Sequence, residues 1–473
     1  MTNKNVDFTI TKMLENARLA QSVYGNSTQE QLDKAARICA KTVYDNAEIL
    51  AVEAVAETKM GSVEGKIGKM QTALTAGWSY TKGRKSTGVI GWEKGKLDVD
   101  CILKIAKPAG VIAAVTPSTN PTANIGFNSM QALKGGNAII FCPHPGAKNV
   151  SLHCVQMIRD NLEKGGFSPD LVQCVADPSI EMTQAMMKAC DLNVATGGAG
   201  MVEAALSCGK PSFGVGQGNC QALIDKNMND MFDEIAEGIV FNRQFDSGIP
   251  CTGEQTVIVP ERDKKELLDA FERAGAFIIR DKETIDRMRS LLFVKNEETG
   301  VYTMNRKALG RPAQEIGAMI GIKVPSDKKI MILELDSYGK DELLCREKLC
   351  VVTNLIAYAG EWEECVHIAK SNLLIEGAGH SADIYTSVKA HEMHAGIELP
   401  VCRLIVNMSN LATFGVPYAN VGLIPTHGLG CGFWQGNTSG EHINFEHFLN
   451  ITRMVYNVKS GVTELTTEEV WAE

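Results

Sequence analysis

Val111-Ile112-Ala113-Ala114-Val115 runs into Thr116-Pro117-Ser118-Thr119-Asn120-Pro121, and this stretch decides the fold. Five consecutive apolar, partly β-branched residues read as a strand buried on both faces. Pro121 suits the first turn of a helix, and Gly135-Gly136 ends it. Ala138-Ile139-Ile140-Phe141 is then the next strand. The same rhythm continues with a helix from about 149 to 164 closed by Gly165, a strand at Leu171–Val175, a helix through Met187, a strand at Leu192–Ala195 and a helix from Gly200 to Ser207. Strands alternating with helices of this length imply βαβ units, hence an α/β protein with a mainly parallel sheet and ligands at the carboxyl ends of its strands.

Outward from this unit the chain is less regular. Ser27-Thr28-Gln29-Glu30 reads as a capping box opening the first clear helix, an amphipathic run to near Gly61, followed by a partly helical region to about Tyr80. Residues 84–107 alternate weakly around a Lys/Gly-rich turn and predict a projecting hairpin suited to oligomer contact. A second α/β segment from about 242 to 430 contains Gln255–Val259, Ile330–Leu333 and Leu404–Val406. From 431 the chain is polar, with a helix expected near Phe445 to Tyr456. The expected domains are therefore 1–240, 241–430 and a tail, 431–473, that makes oligomer contacts. Phe8 to Tyr24 reads as a helix packed on the first domain; docking to a protein shell is the alternative.

The chain has 473 residues, 44% hydrophobic and 22% charged, with a net charge of −9. That balance suits a soluble protein and argues against nucleic acid or an anionic membrane as partner. No stretch approaches the ~20 apolar residues of a membrane span, and Met1 to Asp7 lacks the apolar core of a signal peptide. Fourteen scattered cysteines without a C-x-x-C pair read as reduced cytoplasmic thiols, with no metal site expected. His391-Glu392-Met393-His394 lacks zincin spacing and reads as a solvated helix end.

Phe245-Asp246-Ser247-Gly248-Ile249-Pro250-Cys251-Thr252-Gly253-Glu254-Gln255 carries the chemistry. Glycines flank Cys251 and an apolar strand follows, as a fixed nucleophile at a pocket mouth requires. Asn120 lies between two prolines, so its amide can be held rigidly toward an oxyanion; an ordinary helix start is the competing reading. Ala195-Thr196-Gly197-Gly198-Ala199-Gly200 follows a strand and opens a helix, where a pyrophosphate can meet backbone N–H groups. Gly214-Val215-Gly216-Gln217-Gly218-Asn219 is a second glycine cluster; tight turns alone would explain both.

These motifs, with Pro143-His144-Pro145, Glu347-Lys348-Leu349 and Glu376-Gly377-Ala378-Gly379-His380, occur in an order that resembles the CoA-acylating branch of the aldehyde dehydrogenase superfamily over nearly the whole chain. The resemblance implies two Rossmann-type α/β domains with a small oligomerisation hairpin, an assembly of two or four copies, NAD or NADP as cofactor and coenzyme A as co-substrate. It implies Cys251 as nucleophile, Asn120 as the oxyanion amide, Glu347 on the nicotinamide ribose, and Thr116, Pro117, His144, Pro145, Thr196, Gly197, Gly198, Gly200 and Gly216 along the dinucleotide. His380 recurs near the active site. Arg403 is a candidate for an anionic aldehyde tail, with a buried ion pair as the other reading, and Glu254 is read as a structural hydrogen-bonding residue. Pro250 and Ser247 depart from the common pattern. So do residues 408–427, which are expected to line the aldehyde pocket and argue against succinate semialdehyde.

Hydrolytic relatives carry a glutamate base in the element that here reads Phe213–Asn219, and no carboxylate occurs between Glu203 and Asp225. Without that base water is poorly activated, which favours a thiol acceptor. A short-chain aldehyde, CoA and NAD(P) are thus the expected reactants, in the cytoplasm or a bacterial microcompartment. A hydrolytic aldehyde dehydrogenase and a catalytically silent dinucleotide-binding protein are the rivals; Cys251, Asn120 and Glu347 together argue against the second.

Overall fold

The computed structural model describes residues 3–415, 421–458 and 466–472. Four helices come first: α1 (Asn3–Tyr24), α2 (Gln29–Asp45), α3 (Ala47–Thr58) and α4 (Val63–Thr81). The expected capping box lies one residue later, with Thr28 as N-cap and Gln31 answering it. The expected single run to Gly61 is two helices parted at Asn46, and the first helix is α1. That helix buries Val6, Ile10, Ala17, Ala20 and Tyr24 in the core, and Tyr24 donates to Leu133 O at 2.8 Å. It packs on the domain.

Strands β1 (Gly88–Glu93) and β2 (Ile102–Pro108) form the expected antiparallel hairpin. Next come β3 (Val111–Thr116), α5 (Pro121–Lys134), β4 (Ala138–Pro143), α6 (Lys148–Lys164), β5 (Val172–Cys174), α7 (Ile180–Ala189), β6 (Leu192–Thr196), α8 (Ala199–Leu206) and β7 (Ser212–Val215). The five strands β3 to β7 make a parallel sheet in the order β5-β4-β3-β6-β7. Helices cover both faces, so every residue of β3 and β4 is buried, the reason these strands read as unbroken apolar runs.

The chain then changes sheets. β8 (Gln221–Ile224) and, after α9 (Phe232–Gln244), β9 (Thr256–Pro260) and β10 (Ala276–Ile279) belong to the second unit. An exposed antiparallel pair, β11 (Phe293–Lys295) and β12 (Tyr302–Met304), precedes β13 (Ile330–Leu335), β14 (Val352–Tyr358), β15 (Gly379–Tyr385) and β16 (Val401–Val406). These strands form a seven-stranded parallel sheet, β10-β13-β14-β9-β8-β15-β16. Phe232, Ile235, Ala236, Ile239 and Val240 of α9 pack into the second core. The boundary therefore lies between Val215 and Gln221, upstream of the expected 240.

The tail corrects another expectation. After a small pair, β17 (Gly428–Leu429) and β18 (His442–Ile443), residues Leu449–Val455 form a strand, β19, where a helix was expected. It pairs antiparallel with β2 from Leu449↔Pro108 to Val455↔Ile102, completing a three-stranded sheet. A tertiary partner more than 300 residues away overrides the local pattern.

Candidate active site

A cavity of about 1020 Å³ lies between the two units. Its wall takes Thr116, Pro143, Thr196 and Val215 from the carboxyl ends of the first sheet's strands, and Cys251 and Glu347 from segments that lead into β9 and β14 of the second. Pro117, Asn120, His144, Pro145, Gly197, Gly198 and Gly216 line the same cavity. Topology thus gathers most of the residues singled out in the sequence, from positions 116 to 347, around one space.

The loop before Cys251 is held from several sides. Asp246, Ser247 and Gly248 all take left-handed backbone, with φ of 45°, 55° and 75°, which two L-residues adopt only when their surroundings enforce it. Asp246 is the anchor. Its Oδ2 accepts from Lys69 Nζ at 2.6 Å and Lys66 Nζ at 3.4 Å, and its Oδ1 from Ser62 N at 3.1 Å. All three side chains are buried, with at most 9% of side-chain surface exposed. A Cβ on Gly248 would fall 2.3 Å from Cys350 O, so only glycine fits. Arg243, fully buried, donates to the carbonyls of Lys348, Cys350 and Val352 beneath the loop.

His380 at the start of β15 places Nε2 3.2 Å from Cys251 Sγ. Desolvation and the nearby Glu347 push the Cys251 thiol up to about 12, while burial and the Arg403 charge hold His380 down at about 3. At neutral pH the pair rests as thiol and neutral imidazole, so the thiol is not a preformed thiolate. Gly218 backs against the nucleophile: a Cβ there would lie 2.2 Å from Cys251 O. The segment Gly214–Gly218 therefore meets Cys251 with backbone at Gly218, while Val215 and Gln217 join the cavity wall. It is pinned from the tail, where Asn437 Oδ1 accepts from Gly214 N at 3.2 Å and Gln435 Nε2 donates to Gln217 O at 3.0 Å.

Asn120 is the N-cap residue of α5, yet its side chain caps nothing. Its Nδ2 is 3.2 Å from His427 Nδ1 and donates to Asn124 Oδ1 at 3.4 Å, which fixes the amide in the cavity wall. Burial lowers His427 to about 3, so its ring is neutral and Nδ1 accepts the amide hydrogen. Leu411, Phe414, Pro425, Thr426 and His427 of the 408–427 loop line the cavity; positions 416–420 of that loop lie outside the described residues.

The cavity fits a dinucleotide. No side chain caps the N-terminus of α8, and a Cβ on Gly198 or Gly200 would meet nothing within 4 Å, so backbone and space are open there. Thr116 Oγ1 is buried without a hydrogen-bond partner among the described residues. Glu347 Oε1 accepts from Gly218 N at 2.8 Å, and burial beside Glu376 raises its carboxyl to about 8.

Three sequence candidates stand apart. Gly200 lies past the turn and is not part of the wall. His380 touches Cys251 from behind the wall rather than lining it. Arg403 is not part of the cavity wall and makes no ion pair among the described residues. Its guanidinium is buried and donates to the backbone carbonyls of His380 at 3.0 Å, Gly430 at 2.5 Å and Gly440 at 3.0 Å, tying the tail to β15. Glu254 is also away from the cavity; its Oε1 accepts from Ser409 Oγ and Asn410 N, and its Oε2 from Asn242 Nδ2. Lys69 and Ser381 went unnoticed in the sequence, and His427 was included only as the last residue of the 408–427 loop. A lone lysine in a helix carries no local signal, and the other two gain meaning only from the residues folded against them.

Residues 2–282 match the model of the aldehyde dehydrogenase family. The chain belongs to the aldehyde dehydrogenase family. Within that family it is 39% identical over 465 residues to an acetylating succinate-semialdehyde dehydrogenase of Clostridium kluyveri, covering 98% of this chain and 99% of the relative. An acetylating aldehyde dehydrogenase from Geobacillus thermoglucosidasius superposes with a TM-score of 0.89 at 30% identity, over 97% of this chain and 99% of that one. A propionaldehyde dehydrogenase from Rhodopseudomonas palustris, solved with bound CoA and an acylated cysteine, superposes with a TM-score of 0.83 at 26% identity, over 94% and 96% of the two chains. Among the described residues, this aldehyde dehydrogenase has no helix long and apolar enough to cross a membrane.

Proposed function

We propose that the chain is a CoA-acylating aldehyde dehydrogenase that oxidises a short-chain aldehyde, reversibly, through a thioester on Cys251. The observation that carries this reading is the segment against the nucleophile: Gly218 packs on Cys251, and the Phe213–Asn219 element, in which hydrolytic relatives carry a glutamate base, holds no carboxylate. A nicotinamide dinucleotide along Thr116, Pro117, His144, Pro145, Thr196 to Gly198, Gly216 and Glu347 supplies the acceptor for the hydride that leaves the aldehyde carbon.

The chain's own groups do the rest. Cys251 Sγ attacks the carbonyl carbon as His380 Nε2 receives the thiol proton, and the oxygen gains the π pair. Asn120 Nδ2, exchanging its long 3.4 Å contact with Asn124 for the substrate, and the Cys251 backbone N–H receive that oxyanion. Once oxidised, the thioester carbon is attacked by the CoA thiol. The CoA thiol gives up its proton to solvent as its sulfur bonds to that carbon, the Cys251–carbon bond breaks, and the departing Cys251 sulfur takes back the proton held on His380.

Of the wall's carboxylates, Glu57 is spent on the N–H groups of Asn149 and Val150 and Glu347 on that of Gly218. Neither carboxylate is hydrogen-bonded to His144, and the reading keeps NAD and NADP both open as cofactor. The sheet β1-β2-β19 exposes Val89, Trp92 and Val455, with Tyr456 exposed just past its end, which supports its use, with the tail, as the contact surface of a homodimer or homotetramer. Action in the cytoplasm fits fourteen free cysteines; a microcompartment is the alternative.

The test is NAD(P)H formation from acetaldehyde, succinate semialdehyde and sulfoacetaldehyde, each with and without CoA. Turnover that requires CoA supports the reading, and the ranking names the aldehyde. Equal turnover without CoA would favour the hydrolytic alternative.

A further inference from the structure

Behind Cys251 lies a chain of polar contacts that the reaction above does not use. His380 Nδ1 is 2.9 Å from Ser381 Oγ. Ser381 Oγ is 3.3 Å from Cys220 Sγ. Cys220 Sγ donates to the backbone O of Cys251 at 3.2 Å and also lies 3.6 Å from His380 Nδ1, a much longer contact than the 2.9 Å between that nitrogen and Ser381 Oγ. His380, Ser381 and Cys220 are all fully buried.

The directions of these bonds can be worked out. Asn410 is oriented by Thr413, which donates to its Oδ1, so both amide hydrogens point the other way, to Thr252 O and Ser381 Oγ. Cys251 O is a carbonyl and only accepts, which spends the Cys220 S–H. The Ser381 O–H then has two acceptors within reach, Cys220 Sγ and His380 Nδ1. Turned to Nδ1, it forces a proton onto Nε2, and an N–H then faces the Cys251 thiol, whose own hydrogen loses its acceptor. Turned to Cys220, every donor finds one acceptor: Cys251 S–H to Nε2, Nδ1–H to Ser381 Oγ, Ser381 O–H to Cys220 Sγ, Cys220 S–H back to Cys251 O.

We infer that Ser381, backed by Cys220 and Asn410, is a positioning residue that holds His380 as the Nδ1–H tautomer and so turns the Nε2 lone pair on Cys251. In this arrangement the thiol proton passes to Nε2 with no rotation of the ring. The imidazolium that results keeps Nδ1–H on Ser381 and Nε2–H on the sulfur anion, so charge and protons balance within the ring of contacts. The other charged or titratable groups bearing on the pair are Arg403, His442, Lys69, Glu347 and Cys431. None of them reaches Nδ1.

The inference rests on Cys251 as nucleophile but not on CoA, so its test is separable from that of the reaction. Selective nitrogen-15 labelling of the nine histidines, with His380 identified by its loss in His380→Asn, reads the tautomer from the two ring-nitrogen shifts. The expected result is Nδ1 protonated and Nε2 bare in the wild type. Ser381→Ala or Cys220→Ala reverses this and slows iodoacetamide alkylation of Cys251 at pH 7 by roughly 10- to 100-fold, while Ser381→Thr keeps both properties. A wild-type Nε2–H tautomer, or alkylation in Ser381→Ala at the wild-type rate, overturns the inference. Should Ser381→Ala fail to fold, the wild-type spectrum and Cys220→Ala decide it.

Discussion

Gly218→Ala is the sharpest test of how the nucleophile is held. The added Cβ would stand 2.2 Å from Cys251 O, 3.0 Å from its carbonyl carbon and 3.2 Å from its Cβ. Two of these are backbone atoms, so no rotamer change relieves the clash. Gly218 is not among the positive-φ glycines, so the effect is steric rather than conformational. Reaching ordinary contact requires about 1.2 Å of movement by one backbone or the other, and a shift of ~1 Å in a reacting group costs on the order of 100-fold in rate. Overpacking a wall this rigid costs about 1–3 kcal/mol of stability as well. The assay is CoA-dependent NAD(P)H formation under saturating substrates, with urea unfolding alongside. The control is Gly396→Ala, in the helix Lys389–Glu398, where the new methyl meets only Leu404 Cδ2 at 3.9 Å. A Gly218→Ala enzyme with wild-type kcat would show that Cys251 is not fixed by this contact and would refute the reasoning.

Asp246→Asn leaves Lys66 and Lys69 buried without their counter-charge and should cost about 3–5 kcal/mol in urea unfolding. Glu347 is raised to about 8 from an ordinary 4.5, so the folded chain keeps a proton that the unfolded chain releases. Stability should fall as pH rises from about 4.5 to 8, by at most ~1.4 kcal/mol per pH unit for this one proton, and Glu347→Gln should flatten that fall in unfolding midpoints measured at pH 5 and pH 8. Arg403→Lys cannot reach all its carbonyls and should lose about 2–4 kcal/mol, while the ratio of kcat/KM for succinate semialdehyde to that for acetaldehyde stays at its wild-type value; a selective loss on the anionic aldehyde would restore Arg403 as a substrate contact.

What could be read from the sequence follows from physical range. The strands of the first sheet are short apolar runs closed by glycine or proline, and such signals are local, so β3 to β6 stood out. Asn120, Thr196 and Cys251 were legible because each sits just past a strand or in a glycine- or proline-bounded turn, where an α/β sheet exposes its functional groups, whereas Thr116, Gly216 and Glu347 were singled out only by the order of motifs shared with the family; Glu347 lies in a loop with no glycine near it. β19 was not legible, because Leu449–Val455 becomes a strand only through its pairing with β2. The boundary was misplaced because α9 looks like one more helix of the alternation; only its packing against the second core assigns it. Arg403 carried a charge that suggested a substrate, and nothing in one dimension shows three carbonyls converging on its guanidinium. The ring of contacts through Cys220, Ser381 and His380 joins positions about 160 residues apart and has no local signature at all.

The most direct measurement is the fate of the acyl group on Cys251. Enzyme mixed with aldehyde and NAD(P) but no CoA, followed by intact-protein and peptide mass spectrometry, should accumulate an acyl adduct on Cys251 that persists in water and is discharged within a turnover when CoA is added, with none formed by Cys251→Ala. An adduct lost as fast in water as with CoA, or one formed at another residue, would contradict the account.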